Sequence, residues 1–177
     1  GQMVRRSYTI ASSPTQRDYL EITLKRNEQR QMSGYLHERV KEGEQLEVTA
    51  PFGSFTFTGR EADSIVLIGG GVGITPLMTV IRYLTDRGWP GEIVLLYSCR
   101  TAHDFLFHEE LEYLQRRFAN LHVIASMTRV EKRGRKGLKG HLTKELLAQS
   151  VPNIASRRIH LCGPAPMMDA MQAMLAE

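Results

Sequence analysis

Cysteine is scarce in this chain: only Cys99 and Cys162 occur among 177 residues. Two thiolates cannot ligate a four-thiolate iron–sulfur cluster, and they supply no disulfide framework. The six histidines, His37, His103, His108, His122, His141 and His160, show no His-x-x-x-His or other metal-ligand spacing, so no metal site is expected. No signal-peptide pattern opens the chain, and a cytoplasmic protein is expected. Long apolar runs are lacking too. The longest uncharged run, Ser64–Ile81, approaches the length of a membrane span, yet three consecutive glycines and Pro76 would break a spanning helix. Nor is there a strong excess of one charge. Lys and Arg number 23 against 19 Asp and Glu, and the resulting +4 and pI near 9.2 are mild. They do not mark a dedicated nucleic-acid binder, so no nucleic-acid partner is expected. With 42% apolar and 24% charged residues, an ordinary globular fold remains. No internal repeat is present.

From about residue 64, short apolar runs alternate with amphipathic segments. The runs are SIVLI (64–68), EIVLLYS (92–98), LHVIASM (121–127) and RIHLC (158–162). Helical patterns lie between and after them, at 76–87, 107–118, 143–149 and 166–175. This βαβαβαβα rhythm predicts an α/β domain with a parallel sheet covered on both faces and right-handed crossovers. In the last helix Met167, Met168, Met171 and Met174 have core spacing.

The first part has another rhythm. RSYTIAS (6–12), DYLEITLKR (18–26) and QLEVTA (45–50) read as strands, interrupted by a helix at 33–40. In the second, Leu20, Ile22 and Leu24 alternate with polar neighbours, the pattern of a half-buried antiparallel strand. Pro51 and Gly53 mark a turn. A boundary near 57–64 divides residues 1–60 from 61–177. Three strands and a helix cannot close a barrel, so the first part resembles the later portion of something larger, with sheet edges left unpaired.

The run IVLI enters GGGVGITP at 69–76. Thr75 is placed as a helix N-cap and Pro76 as the first helical residue, so the glycines form a strand-to-helix turn. Glycine permits positive φ and close approach, and a helix N-terminus suits a phosphate. The spacing is neither G-x-G-x-x-G nor a Walker A loop, and glycines serving only tight packing remain a second reading. Position favours the first, because ligands of open α/β sheets bind beyond the carboxyl ends of the strands. Those ends carry Gly70, Gly71, Val72 and Gly73; Ser98–Cys99–Arg100; Thr128–Arg129; and Cys162–Gly163–Pro164.

Four ordered motifs give the chain a resemblance over essentially its whole length. RRSYTIASSP resembles the R-x-Y-[ST]-x-x-S flavin motif of the ferredoxin–NADP reductase superfamily. MSGYLHERVKEGEQLEVTAPFG resembles the segment that follows it there. GGGVGITP and HLCGPAPMMDAM resemble that superfamily's nicotinamide-nucleotide motifs, and the likeness is to reductase components of bacterial oxygenases.

The resemblance implies FAD and NADP (or NAD) as cofactors and hydride transfer between them. It puts Arg6 on the flavin pyrophosphate, Tyr8 against the isoalloxazine and Thr9 near its reactive nitrogen. Met32 and Ser33 would open the helix at 33–40 and offer donors to the flavin phosphates. Gly70, Gly71, Val72 and Gly73 would cradle the nucleotide pyrophosphate, with Thr75 near the nicotinamide. Arg100, Thr128 and Arg129 would face the adenosine end, and the Thr128–Arg129 pair favours the 2′-phosphate of NADPH. Cys162, Gly163 and Pro164 would border the nicotinamide pocket. Thr9, Thr75 and Cys162 are thereby the candidates nearest the chemistry, although Cys162 is equally readable as a small buried apolar residue.

The basic stretch 129–141 carries Arg129, Lys132, Arg133, Arg135, Lys136 and Lys139 against Glu131. It reads as a solvated loop, a clamp on the 2′-phosphate, or a docking patch for an acidic redox protein. An iron–sulfur protein or domain, feeding a terminal oxygenase, is the expected electron acceptor. In the superfamily several barrel strands precede the R-x-Y-S motif and a strand follows the C-G-P helix. The chain is therefore expected to be a segment truncated at both ends, with part of an antiparallel flavin-binding β-barrel before the nucleotide domain. Its open edges favour self-association. A nucleotide-binding module without flavin chemistry stays open as the rival reading.

Overall fold

The computed structural model describes residues 5–26, 31–49, 51–129 and 138–176. Five parallel strands form one sheet in the order β4-β3-β2-β1-β5. They are β1 (Ser64–Gly70), β2 (Glu92–Cys99), β3 (Leu121–Met127), β4 (Leu138–Lys139) and β5 (Arg158–Cys162). Helices α1 (Gln31–Glu38), α2 (Ile74–Asp86), α3 (His108–Arg117), α4 (Lys144–Ser150) and α5 (Ala165–Ala176) accompany them. The alternation read from the sequence thus gives the α/β fold, and the strand and helix bounds agree within a few residues.

Strand alternation splits the core in two. Ile65, Leu67, Ile93, Leu95 and Tyr97 face one side, where α2 supplies Leu77, Ile81 and Leu84 and α3 supplies Leu111. Val66, Ile68, Val94 and Leu96 face the other, under Leu147 of α4 and Met171 of α5. Each central strand is buried on both faces, which is why these runs are continuously apolar. Met167 and Met174 pack against the second cluster, as core spacing predicts. β4 was not legible in the sequence. It lies inside the basic stretch and pairs Leu138 with Ser126 and Lys139 with Met127.

The first part departs most from expectation. The three expected strands are not regular strands: one antiparallel bridge, Ile10↔Ile22, joins the first two, and 45–49 has no ladder partner among the described residues. Ala11 N–H donates to the Glu21 carbonyl at 2.7 Å, and Glu21 N–H to Ser12 Oγ at 3.1 Å. The expected burial holds only in part, with Leu24 half-buried. Leu20 and Ile22 are exposed while Glu21 is half-buried, because Glu21 meets an arginine of α2. The helix expected at 33–40 begins at Gln31 instead. No helix among the described residues is long and apolar enough to cross a membrane. Lys132, Arg133, Arg135, Lys136 and Glu131 of the basic stretch lie outside the described residues.

Candidate nucleotide and flavin site

The chain runs from β1 outward through β2, β3 and β4, then returns to the other side of β1 as β5. The β1/β5 boundary is therefore a topological switch point, where open α/β sheets leave a crevice beyond the strand ends. Register aligns Gly69 with Cys162 across it. The glycine turn and the Cys162–Gly163–Pro164 end face one another there.

The turn is a 3-10 segment, Gly71–Gly73, leading straight into α2. Its glycines have different tasks. Gly71 has φ +54, and an added Cβ would meet nothing within 4 Å, so its outer face is open. Gly73 has an ordinary φ of −63, but a Cβ there would lie 2.3 Å from the Cys162 carbonyl oxygen. What approaches the bare backbone at Gly73 is the end of β5; at Gly71 the approach is left clear. Close packing holds at Gly73, while two residues earlier Gly71 is left open. Val72 is exposed on this turn.

Thr75 is not the N-cap. Gly73 occupies that position, and Thr75, inside the first turn, donates its hydroxyl to the Val72 carbonyl at 3.0 Å. A side chain that is 4% exposed is better satisfied by this local bond than by reaching outward. Pro76 still falls in the first turn, where helix N–H groups lack intrahelical acceptors. The Gly71 carbonyl is fixed from below by Tyr97, whose hydroxyl donates to it at 3.0 Å. Burial pushes the Tyr97 phenol well above its ordinary pKa, keeping it a donor. Sequence reasoning passed over Tyr97 because an aromatic in a buried strand reads as core.

At the neighbouring strand ends, Arg129 N–H donates to the Arg100 carbonyl at 2.7 Å and Thr128 N–H to the Cys99 carbonyl at 3.0 Å. Both arginine side chains are exposed there. Burial raises the thiols: Cys99 is pushed up to about 11, and Cys162 is raised in the same direction. Each stays protonated near neutrality.

On the flavin side, Arg6, Tyr8 and Thr9 are all exposed. Ser33 departs from expectation. It lies inside the first turn of α1, and its buried hydroxyl donates to the Lys25 carbonyl at 2.9 Å. Met32 beside it is half-buried.

The segment that follows Thr9 docks along α2. Thr79 Oγ1 donates to the Ile10 carbonyl at 2.5 Å, Arg82 Nη1 to the Ala11 carbonyl at 2.6 Å, and Thr15 Oγ1 to Asp86 at 2.5 Å. Residues 10, 11 and 15 thus descend α2 from its N-terminal half. Among the described residues no cluster of three potential metal ligands exists. His160 of β5 is a further residue that sequence reasoning left on the surface. It is buried, with Nε2 3.1 Å from the Thr56 carbonyl and Phe55 and Phe57 edge-on to its ring.

Comparison with known proteins gives matches to two domain families. Residues 1–57 match the oxidoreductase FAD-binding domain family, and residues 67–173 match the oxidoreductase NAD-binding domain family. The glycine betaine monooxygenase reductase subunit of Chromohalobacter salexigens is 36% identical over 177 residues, covering 99% of this chain and 48% of that one. The flavohemoprotein of Bordetella pertussis is 30% identical over 184 residues, covering all of this chain and 46% of that one. The chain spans about half the length of these curated relatives. The FAD/NAD-binding domain of nitric oxide dioxygenase from Vibrio cholerae superposes with a TM-score of 0.84 at 27% identity, over 97% of this chain and 70% of that one. Phthalate dioxygenase reductase shares the fold, with a TM-score of 0.76 at 24% identity over 98% of this chain and 50% of that one. By its motifs, its fold and these matches, the chain belongs to the oxidoreductase NAD-binding domain family within the ferredoxin–NADP reductase superfamily.

Proposed function

We propose that this chain forms the flavin- and nucleotide-binding part of an NAD(P)H-dependent reductase that passes electrons to an iron–sulfur or other redox partner. The observation that carries it is the docking of 10–15 along α2, which ties the segment following Tyr8 and Thr9 to the helix that begins beside the open Gly71. When bound, FAD accepts a hydride from NAD(P)H and can release its two electrons singly.

The residues present fit both groups. The left-handed Gly71, with open space beyond it, suits the close approach of a pyrophosphate, although the Ile74 N–H at the start of α2 is held by the Gly71 and Val72 carbonyls and Pro76 has none. Adjacent strands lie about 4.8 Å apart, so Arg129, two strands from β1, stands roughly 10 Å along the sheet edge from the turn. That spacing supports Arg129, with Arg100 and Thr128, as the adenosine end, where a guanidinium can fork onto a 2′-phosphate. Cys162, Gly163 and Pro164 border the nicotinamide side; Cys162, as a neutral thiol, shapes the pocket without supplying a nucleophile. Arg6 suits the flavin pyrophosphate and Tyr8 the ring face. Met32 and Ser33 act through their backbone, since the Ser33 hydroxyl is engaged. Hydride transfer needs orientation and water exclusion, not an acid–base pair.

An iron–sulfur protein or domain, and beyond it an oxygenase, is the acceptor that the motif resemblance favours. Self-association through the exposed Leu20, Ile22, Val48 and Phe52 is a further expectation, read by size-exclusion chromatography.

The test is to purify the chain with excess FAD, record the visible spectrum, and add NADPH anaerobically. Bound flavin absorbance that bleaches supports the reading; absence of either defeats it. The rival, a nucleotide module without flavin chemistry, gains from the engaged Ser33 hydroxyl. Calorimetric binding of NADP⁺ with no flavin uptake would favour it.

A further inference from the structure

Arg82 lies on α2, outside every motif named above, yet it is the most heavily bonded cation described in the fold. Nε and Nη2 donate to the two oxygens of Glu110 at 2.6 and 2.7 Å, a bidentate pair with α3. Nη1 donates to the Ala11 carbonyl at 2.6 Å and to Glu21 Oε1 at 2.9 Å. The guanidinium also stands 5.2 Å over the ring of Phe107, a residue held at φ +58 just before α3. Its side chain is only 15% exposed.

We infer that Arg82 is a positioning residue for hydride transfer, fixing the height of the Arg6–Thr9 segment on α2. The inference rests on the flavin reading proposed above. Thr79, Arg82 and Asp86 have the spacing of one helix face, and all three touch the segment 10–15. Thr79 and Asp86 each make a single contact with it. Arg82 alone among these three spans both arms of the 10–22 turn and ties them to a third element.

The choice of arginine is physical. The planar fork satisfies Glu110 with two nitrogens and leaves the third to bridge Ala11 and Glu21; a lysine ammonium cannot reproduce that plane. Removing the cation would leave Glu21 and Glu110 facing the same gap. Two carboxylates without a counter-charge repel, and Glu21 is tied through the Ala11 N–H to the arm that carries Tyr8 and Thr9. The helix end bearing Gly71 and Thr75 would stay in place, anchored by the sheet. A small shift between donor and acceptor rings is costly to rate and nearly invisible to nucleotide affinity.

The experiment compares wild type, Arg82→Met, Arg82→Lys and Glu21→Gln by stopped-flow reduction of the FAD-loaded chain with NADPH. Amide hydrogen–deuterium exchange is followed on the flavin-free chain. Arg82→Met is expected to lower the limiting bleaching rate about 10- to 100-fold, with the NADPH Kd within about twofold of wild type. Arg82→Lys should recover part of the rate. Glu21→Gln, which leaves the Arg82–Glu110 pair whole, should lose less. Exchange should quicken over residues 10–22 and not over β1 or β2. An unchanged limiting rate in Arg82→Met overturns the inference. So does a loss of rate matched by a loss of NADPH affinity and faster exchange across β1 and β2, which marks a merely structural arginine. Wild type that NADPH does not bleach overturns the flavin reading and the hydride role together, and exchange over 10–22 then decides the clamp by itself.

Discussion

Gly73 and Cys162 are in backbone contact: a Cβ on Gly73 would stand 2.3 Å from the Cys162 carbonyl oxygen and 2.7 Å from the Cα of Gly163. This contact joins the start of α2 to the end of β5 at the switch point. It fixes the relative position of the two loops that border the proposed nucleotide crevice.

Gly73→Ala is accordingly expected to destabilise the domain by about 1–3 kcal/mol, the range for overpacking. The atoms it would strike are backbone and cannot swing away. Gly71→Ala should cost about 1–2 kcal/mol, from the left-handed φ alone, since nothing lies within 4 Å of its Cβ direction. Urea unfolding of both variants measures the difference. A Gly73→Ala chain as stable as wild type would show that β5 can retreat from α2.

Arg129→Ala should weaken NADPH binding by roughly 10- to 100-fold, the loss expected for a charged hydrogen bond of about 1.5–3 kcal/mol. NADH binding should change by less than about threefold. Titration calorimetry with both nucleotides reads the ratio. Equal losses would make Arg129 an arginine of the sheet edge, held by its N–H on the Arg100 carbonyl, without a role in choosing the cofactor.

His160 gives a pH dependence whose sign follows from its setting. Burial disfavours the imidazolium and lowers its pKa from 6.5; the nearby Arg158 acts in the same direction, while the Thr56 carbonyl and Glu61 oppose them. Its Nδ1 is buried and has no hydrogen-bond partner among the described residues. A lowered folded-state pKa means the unfolded chain binds the proton more readily. Stability is therefore whole above about 6.5 and falls as pH drops through the folded value. His160→Gln keeps a donor for Thr56 and removes the titration. Its denaturation midpoint should be flatter than wild type across that acid limb; a parallel curve would assign the acid sensitivity to other groups.

The two thiols should alkylate slowly at neutral pH, because burial keeps both protonated. For Cys99 the folded pKa rises from 9.0 to about 11. The stability it lends is full below about 9 and is lost as pH climbs toward 11. Iodoacetamide labelling followed by mass spectrometry should show Cys162, which is half-buried, reacting before Cys99, which is buried. Rapid neutral labelling of either would mean that its strand end opens readily.

The βαβ half was legible because each of its strands is buried on two faces. Ile65, Val66, Leu67 and Ile68 must all be apolar, whichever side they face, and the glycine turn follows at once. The covered face of 18–26 was misread because alternation reports an apolar face without saying what covers it. Leu20 and Ile22 alternate correctly, yet the face turned toward α2 is that of Glu21, drawn by the charge of Arg82. Thr75 has the composition of an N-cap, but the 3-10 turn began the helix earlier and moved the cap to Gly73. Tyr97, Arg82 and His160 were passed over because their residue types are ordinary for strand, helix and strand.

The sequence by itself determined the strand–helix order, the place of the glycine turn and the set of strand ends that meet at one edge, because burial periodicity and turn chemistry are local. Only the tertiary structure decided that β5 returns beside β1, that Gly73 yields its space to Cys162 while Gly71 stays open, and that Arg82 binds Ala11, Glu21 and Glu110 at once. Those are relations between residues distant along the chain. They depend on which surfaces the folded layers bring within hydrogen-bond reach, and no local pattern carries that information.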